Sequence, residues 1–255
     1  SLDADVVALQ EVAVLTADGI LHDNAGMLAA RTGMQHRYAA TRHFAIHDAD
    51  GRQLGAGLFG NALLSRIPIR TARTLALPMA TDDASVEPPG ADHPLAGVRY
   101  ADAPASTREP RCLLIAEVEL PAGAPATIGS VHLSHIGSGE RALQAAACVR
   151  ALSQVEGPVV LAGDLNAAID SAELAPLRDG WTDAFGVAEI PAGDERRATT
   201  EDGAAIDHIF VRGAVVLDCR RVDEAGWLSD HLPLLAELEI RTTTLDARQI
   251  GYEDS

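Results

Sequence analysis

The chain contains no lysine, and its basic side chains are all arginines, scattered among a larger number of Asp and Glu. The formal charge is −17 over 255 residues. Gripping a long nucleic acid by its phosphates takes clustered Lys and Arg, so duplex nucleic acid is disfavoured as a partner. Aromatic residues make up 4%, which leaves alanine and valine to build much of the core. The three cysteines, Cys112, Cys148 and Cys219, form no short metal-binding or redox spacing and read as buried thiols. No run of about 18 apolar residues occurs, which excludes a transmembrane helix by length. No secretory signal is visible, and the expected location is cytoplasmic. Nothing in the composition speaks to oligomeric state.

What is present reads as a globular chain with many strands. The length and the 47% hydrophobic content suit one large domain, assigned to residues 1–240, with 241–255 as a loose tail. Asp5 to Gln10 is a short apolar run that ends in a Gln-Glu pair, the pattern of a buried strand with polar residues emerging at its end. Asp23 to Arg31 reads as a short helix, with Asp23 as N-cap and Gly33 just past its end. Tyr38 to His47, Gly57 to Ser65 and Ile69 to Leu77 read as strands. Residues 78–110 are rich in Pro, Ala, Asp and Gly without periodicity and are expected to be a long loop near the substrate side. Strands are expected again at Cys112 to Leu120, Ala126 to Leu133, Val159 to Ala162, Ile206 to Arg212, Val215 to Val222 and Pro233 to Ile240. Glu140 to Val155 is the best helix, with Ala142, Ala146, Val149 and Leu152 at helical spacing. Such an order suggests two packed sheets flanked by helices.

Polar residues gather at the ends of these apolar runs: Glu11, His132, Asp164 with Asn166, Asp207, and Asp230 with His231. A buried strand end is an expensive place for an ionisable group unless it is paired or binds a metal. One such residue is commonly a satisfied structural group, whereas six or seven point to a site. His208 adjoins Asp207 but falls on the opposite strand face, so it is read as non-catalytic. His135, in the same VHLSH block as His132, could line the pocket but is read as a loop residue.

The blocks carrying these residues resemble the endonuclease/exonuclease/phosphatase superfamily, in the family's order. They are Ala4 to Val12 (ADVVALQEV), Gly60 to Ile69 (GNALLSRIPI), Val131-His132-Leu133, Gly163-Asp164-Leu165-Asn166, Ile206 to Ile209 (IDHI) and Ser229 to Leu234 (SDHLPL). The resemblance spans Asp5 to Leu234 and implies an α/β fold, a four-layer α/β/β/α sandwich of two mainly antiparallel sheets flanked by helices. It implies hydrolysis of a phosphate mono- or diester by an activated water with Mg²⁺ or Mn²⁺, and the acidic charge points to a small or lipid-derived substrate rather than duplex DNA. A nuclease of the same superfamily and a non-catalytic binding module with the same fold are the alternatives. By the same resemblance Glu11 and Asp230 would bind the metal, and Asp164 would orient or deprotonate the water. Asn166 would donate to phosphoryl oxygens, and His132 would stabilise developing charge. His231 would face the phosphate, held by Asp207. Asn61 either contacts substrate or packs its strand, and Arg108 and Arg111 are candidates to touch a phosphate. Family members begin with a strand carrying a metal-binding Asn, followed by a helix. Here the QEV block starts about ten residues in, so the chain is expected to lack that strand and helix and to be weakly active or inactive as it stands.

Overall fold

The computed structural model describes residues 3–17, 19–79, 109–226 and 228–240. Two sheets dominate. The first contains β1 (Val6–Ala17), β2 (Ile20–Asp23), β3 (Gln35–His47) and β4 (Gln53–Ser65), in the order β2-β1-β4-β3 and antiparallel throughout. Helix α1 (Asn24–Thr32) covers its outer face. The second contains β5 (Ile69–Ala76), β6 (Cys112–Glu119), β7 (Pro125–His132), β8 (Val159–Asp164), β9 (Thr182–Asp183) and β10 (Asp207–Arg212). Its order is β5-β6-β7-β8-β10-β9, antiparallel except for the β7–β8 pair. A parallel pair needs a long crossover, and here α2 (Ser138–Ser153) supplies it. The short helices α3 (Ala175–Arg178) and α4 (Ala184–Val187) follow, and β11 (Val215–Arg221) pairs with β12 (Leu234–Glu239) as a separate ribbon.

The alternation of side chains along each strand builds the layers. On β6, Cys112, Leu114, Ala116 and Val118 face the other sheet, while Leu113 and Ile115 face α2. On β4, Leu63 points between the sheets, and Ala62 and Leu64 point at α1. The helix-side core of the larger sheet holds Leu113, Leu133, Leu152, Leu161 and Leu165, all fully or almost fully buried. Burial of each such leucine stabilises by about 2 kcal/mol. The four-layer α/β/β/α sandwich expected from the sequence is therefore present. Of the described residues, no helix is long and apolar enough to cross a membrane.

The helix at 24–32 has the caps the sequence suggested: the Asp23 carboxylate accepts from Gly26 N at 2.9 Å, and Gly33 adopts φ 70°. Helix α2 buries a rotated face, with Ala142, Ala145, Cys148 and Leu152 inside and Ala146 and Val149 half-buried. Buried Glu140 and Gln144 share that face, and these polar residues disguised its period. Gln144 accepts from Ser134 N and donates to Pro78 O, which ties the loop after β7 to the helix. Strand β1 runs on past its Gln-Glu pair to Ala17, and β2 was not foreseen. Between Leu9 and Val12 two residues, Gln10 and Glu11, oppose the single Asn61 on β4. This β-bulge lets the apolar run continue while one polar pair is re-aimed. Most of the expected 78–110 loop and the expected 241–255 tail lie outside the described residues.

Gly163 shows how tightly the larger sheet is built. It sits at φ 154°, and a Cβ there would lie 1.8 Å from the Val131 carbonyl oxygen on β7. The Gly163→Ala variant is expected to lose about 2–4 kcal/mol, seen as a lower denaturation midpoint in urea. An unchanged midpoint would mean that the β7–β8 ladder tolerates a side chain at this point.

Candidate functional site

The site grows from the register of three neighbouring strands. His132 at the end of β7 pairs with Asp164 at the end of β8, and Asp164 pairs with Asp207 at the start of β10. Residues paired in register point to the same face, so all three side chains project between the sheets at one level. His208, one residue on, points the other way, is buried, and lies 2.8 Å by its Nε2 from the Ala167 carbonyl. Burial lowers its pKa, which keeps it neutral and structural.

The loop after β8 is fixed locally. Asp164 Oδ1 accepts from Asn166 N at 2.8 Å, an Asx turn, with Asn166 in the left-handed region at φ 51°. Buried Leu165 anchors the loop in the helix-side core. The Asn166 side-chain nitrogen lies 3.0 Å from His132 Nε2 and donates to Leu133 O at 3.0 Å. Glu11 arrives from the opposite sheet by way of the bulge. It is a non-glycine residue at φ 57°, and its carboxylate reaches within 3.8 Å of His132 Nδ1. Backbone outliers of this kind concentrate at sites that over-determine them.

His132 is buried and surrounded. Arg111 Nη1 lies 3.0 Å from its Nδ1, and Arg111 Nη2 lies 3.0 Å from His135 Nδ1. A guanidinium can only donate, so both Nδ1 atoms face a donor, and His132 Nε2 lies 3.4 Å from Asp164 Oδ2 and beside the Asn166 amide nitrogen. Burial first, and then the charge of Arg111, push His132 down to about 3, so it works as a neutral imidazole. Burial also lowers the Arg111 pKa, against the pull of Glu109 and Glu11. Glu109 in turn pairs with Arg42 of β3.

The two aspartates behave differently. Burial, and then the neighbouring Asp207, raise Asp164 to about 7. Asp207 Oδ2 lies 2.7 Å from His231 Nδ1 and accepts from the Thr199 hydroxyl at 2.5 Å. The bond to Asp207 is the main reason His231 rises to about 9, so the pair is ionic at neutral pH. Ligand atoms of Asp164, Asp207 and His231 all lie within 4.8 Å of one another. The two hard carboxylates, with Asp164 held partly protonated chiefly by its burial, are oxygen donors that a divalent cation would fit and relieve, and His231 stands beside them as a cation.

Of the residues singled out by sequence, Glu11, His132, Asp164, Asn166, Asp207 and His231 come together. Asp230 is exposed and accepts from the Ser229 hydroxyl at 3.1 Å. Asn61 is buried and donates to Cys112 O at 3.0 Å, bridging the sheets beneath the site. Arg111 lies inside the site with its guanidinium on the two histidines, and Arg108 lies outside the described residues. Sequence reasoning missed Thr199, eight residues before Asp207 in a polar turn with no periodic signal, and His135 as a partner of Arg111. A cavity of about 580 Å³ lined by Ile169, Arg178, Asp183, Ile190 and Arg197 contains none of the strand-end residues.

Comparison with known proteins gives the same family as the motifs. The model of the Endonuclease/Exonuclease/phosphatase family matches residues 1–231. A curated relative, the "UPF0294 protein VP2298" of Vibrio parahaemolyticus, is 25% identical over 149 residues, covering 58% of this chain and 52% of the relative. The chain thus matches about half the length of that relative. An endonuclease/exonuclease/phosphatase structure from Beutenbergia cavernae superposes with TM-score 0.67 at 20% identity, covering 92% of this chain and 62% of the other. The human Nocturnin catalytic domain, solved with a bound sulfate anion, gives 0.61 at 16% identity, covering 93% and 81%. D. rerio TDP2, solved with a single strand DNA product, gives 0.58 at 18%, covering 92% and 86%. At these identities the structures speak for the fold alone.

The His231–Asp207 pair has a definite pH signature. A His raised from 6.5 to about 9 stabilises the fold fully below pH 6.5, and the contribution is lost as pH rises through about 9. With chelator present, the stability advantage of the natural chain over His231→Asn is therefore expected to shrink by on the order of 2 kcal/mol across that window. Urea denaturation near pH 6 and near pH 9.5 measures it, and a difference independent of pH contradicts the ion pair.

Proposed function

This chain belongs to the endonuclease/exonuclease/phosphatase family, and from that membership we propose that it hydrolyses a phosphate ester by attack of an activated water, with a divalent cation at the clustered carboxylates. Members of this family are in general hydrolases of phosphoester bonds. The observation that carries the reading is the convergence of His132, Asp164, Asp207 and His231 from separate segments, with three of them forming a possible metal-holding group.

Each side chain has a task its surroundings support. Asp164, buried at the end of β8 beside Asp207, is the group that would orient or deprotonate the attacking water. His231 carries a charge at neutral pH and is 28% exposed, so it can face an anionic ester while Asp207 holds its ring. Neutral His132 offers an uncharged imidazole, and Asn166 offers an amide beside its Nε2. Arg111 holds both histidine rings from beneath as a buried cation. Asp164, Asp207 and Glu11 are the hard-oxygen donors that would hold Mg²⁺ or Mn²⁺. When bound, such an ion polarises a phosphoryl oxygen and offsets its charge.

The charge of −17 and the absence of lysine favour a small or lipid-derived ester over duplex DNA. A nuclease acting on single strands is the second reading, favoured by the likeness to a TDP2 structure that holds single strand DNA product.

The test is hydrolysis of bis-p-nitrophenyl phosphate, single-stranded DNA, sphingomyelin and inositol phosphates, each with Mg²⁺, with Mn²⁺ and with chelator. Metal-dependent turnover is expected, with Asp164→Asn reducing kcat by about 10²–10⁴-fold. No turnover on any ester, or turnover insensitive to both chelator and the Asp164 change, sinks the phosphoesterase reading and favours a binding module on the same fold.

A further inference from the structure

We propose that Thr199 is a positioning residue of this site, holding the Asp207 carboxylate in the orientation that binds His231. The catalytic part of the proposal rests on the phosphoesterase reading above, and its structural part does not.

The geometry is specific. Thr199 is fully buried, and its hydroxyl donates to Asp207 Oδ2 at 2.5 Å. The same oxygen lies 2.7 Å from His231 Nδ1. A second acceptor for the hydroxyl, Ala204 O, is 3.5 Å away, at the margin of a hydrogen bond, so the single hydroxyl proton belongs to Asp207. Rotation of a carboxylate about its last torsion is soft. Among the described residues, the hydrogen bonds that restrain it here are the one from Thr199 and the one to His231. The Asp207 side chain is only 15% exposed, which leaves little room for solvent to replace a lost donor.

The backbone of the same residue holds the other partner. Leu232 N donates to Thr199 O at 2.7 Å, and Thr200 forms an antiparallel bridge with His231. The turn is closed by Thr199 N donating to Ala204 O at 2.8 Å. Thr199 thus fixes the aspartate through its side chain and the segment carrying the histidine through its main chain. Asp207 itself is anchored independently, by pairing with Asp164 on β8. A hydroxyl placed only to fill space would not need to aim at the oxygen that the histidine already uses.

The bland alternative is that Thr199 merely closes a turn. Thr199→Val and Thr199→Ser in the whole chain separate the two, because valine keeps the shape and the backbone bonds while serine keeps the hydroxyl. Four quantities are read: kcat and KM on bis-p-nitrophenyl phosphate, the thermal midpoint, and the downfield proton resonance of His231 Nδ1–H in the chelated protein. That resonance is assigned by its loss in His231→Asn. The valine variant is expected to lower kcat by about 10–100-fold, the usual cost of a supporting hydrogen bond one step from the chemistry, with KM little changed, the midpoint retained and the resonance displaced. The serine variant is expected to recover both kcat and the resonance.

An unmoved resonance in Thr199→Val overturns the proposal whatever happens to activity. Equal losses of kcat in the valine and serine variants overturn it too, because the hydroxyl would not be responsible. If the natural chain hydrolyses no ester at all, the functional reading fails on its own. The resonance then still decides Thr199: displacement supports it and invariance rejects it.

Discussion

The site depends on one constraint, the register of β7, β8 and β10. A parallel pair next to an antiparallel pair sets His132, Asp164 and Asp207 side by side on the face between the sheets. A slip of one residue on any of the three strands would send its polar side chain into the helix-side core and bring an apolar one to the site. That outcome is blocked by Leu133, Leu161 and Phe210, which lie on the opposite face and are buried there. Gly163 allows the closest approach, because any side chain at that point would strike the Val131 carbonyl. The packing of the core and the placing of the chemistry are therefore the same constraint.

Against that fixed row, the other sheet contributes by an irregularity. The bulge at Gln10–Glu11 converts a regular inward–outward alternation into one that keeps Val12 on the α1 side and delivers Glu11 to the site. Gln10 donates to Ser130 on β7 at 3.1 Å, and Ser130 donates to Leu9 O at 3.3 Å, so the bulge is stitched to the strand that carries His132. A left-handed glutamate costs on the order of 1–3 kcal/mol, which the inter-sheet packing below it offsets. Buried charges are handled with similar care. Arg111 has its nitrogens on two histidines and near Glu109, and His231 is neutralised by Asp207. Removing one member of such a set leaves a buried charge without its counterpart, which is dearer than never having had either.

The sequence made much of this legible, for identifiable reasons. The apolar runs that end in polar residues marked five of the strands, and the caps Asp23 and Gly33 marked α1. The opposite fates of Asp207 and His208 followed from the two-residue period alone. What escaped was whatever is set by tertiary context. Strand β2 and the far half of β1 were missed because a bulge lets an apolar run survive a polar pair, which a simple alternation reads as an end. The rotated face of α2 was hidden by Glu140 and Gln144, polar residues that are buried for structural hydrogen bonds. Asn61 was undecided between substrate and packing, and its bond to Cys112 O spans 51 residues of sequence, a distance over which no local pattern informs. Thr199 had no signal at all, since a threonine in a polar turn is ordinary until its neighbours in space are known.

The distribution of charge bears on what such a site can receive. The chain is strongly acidic, yet Arg111 and His231 stand at the site, with Arg42 linked to Arg111 through Glu109. Repulsion from the acidic surface acts over roughly a Debye length, about 8 Å at physiological salt. An ester small enough to lie within that distance of the cations is governed by them and by any bound metal. A polyanion extending far beyond the opening meets the acidic exterior with each further phosphate, and gains no lysine anywhere to offset it. On the proposed phosphoesterase reading, local cations inside a repulsive surface would favour compact negative charge, and a single phosphoester group would meet that demand better than a duplex.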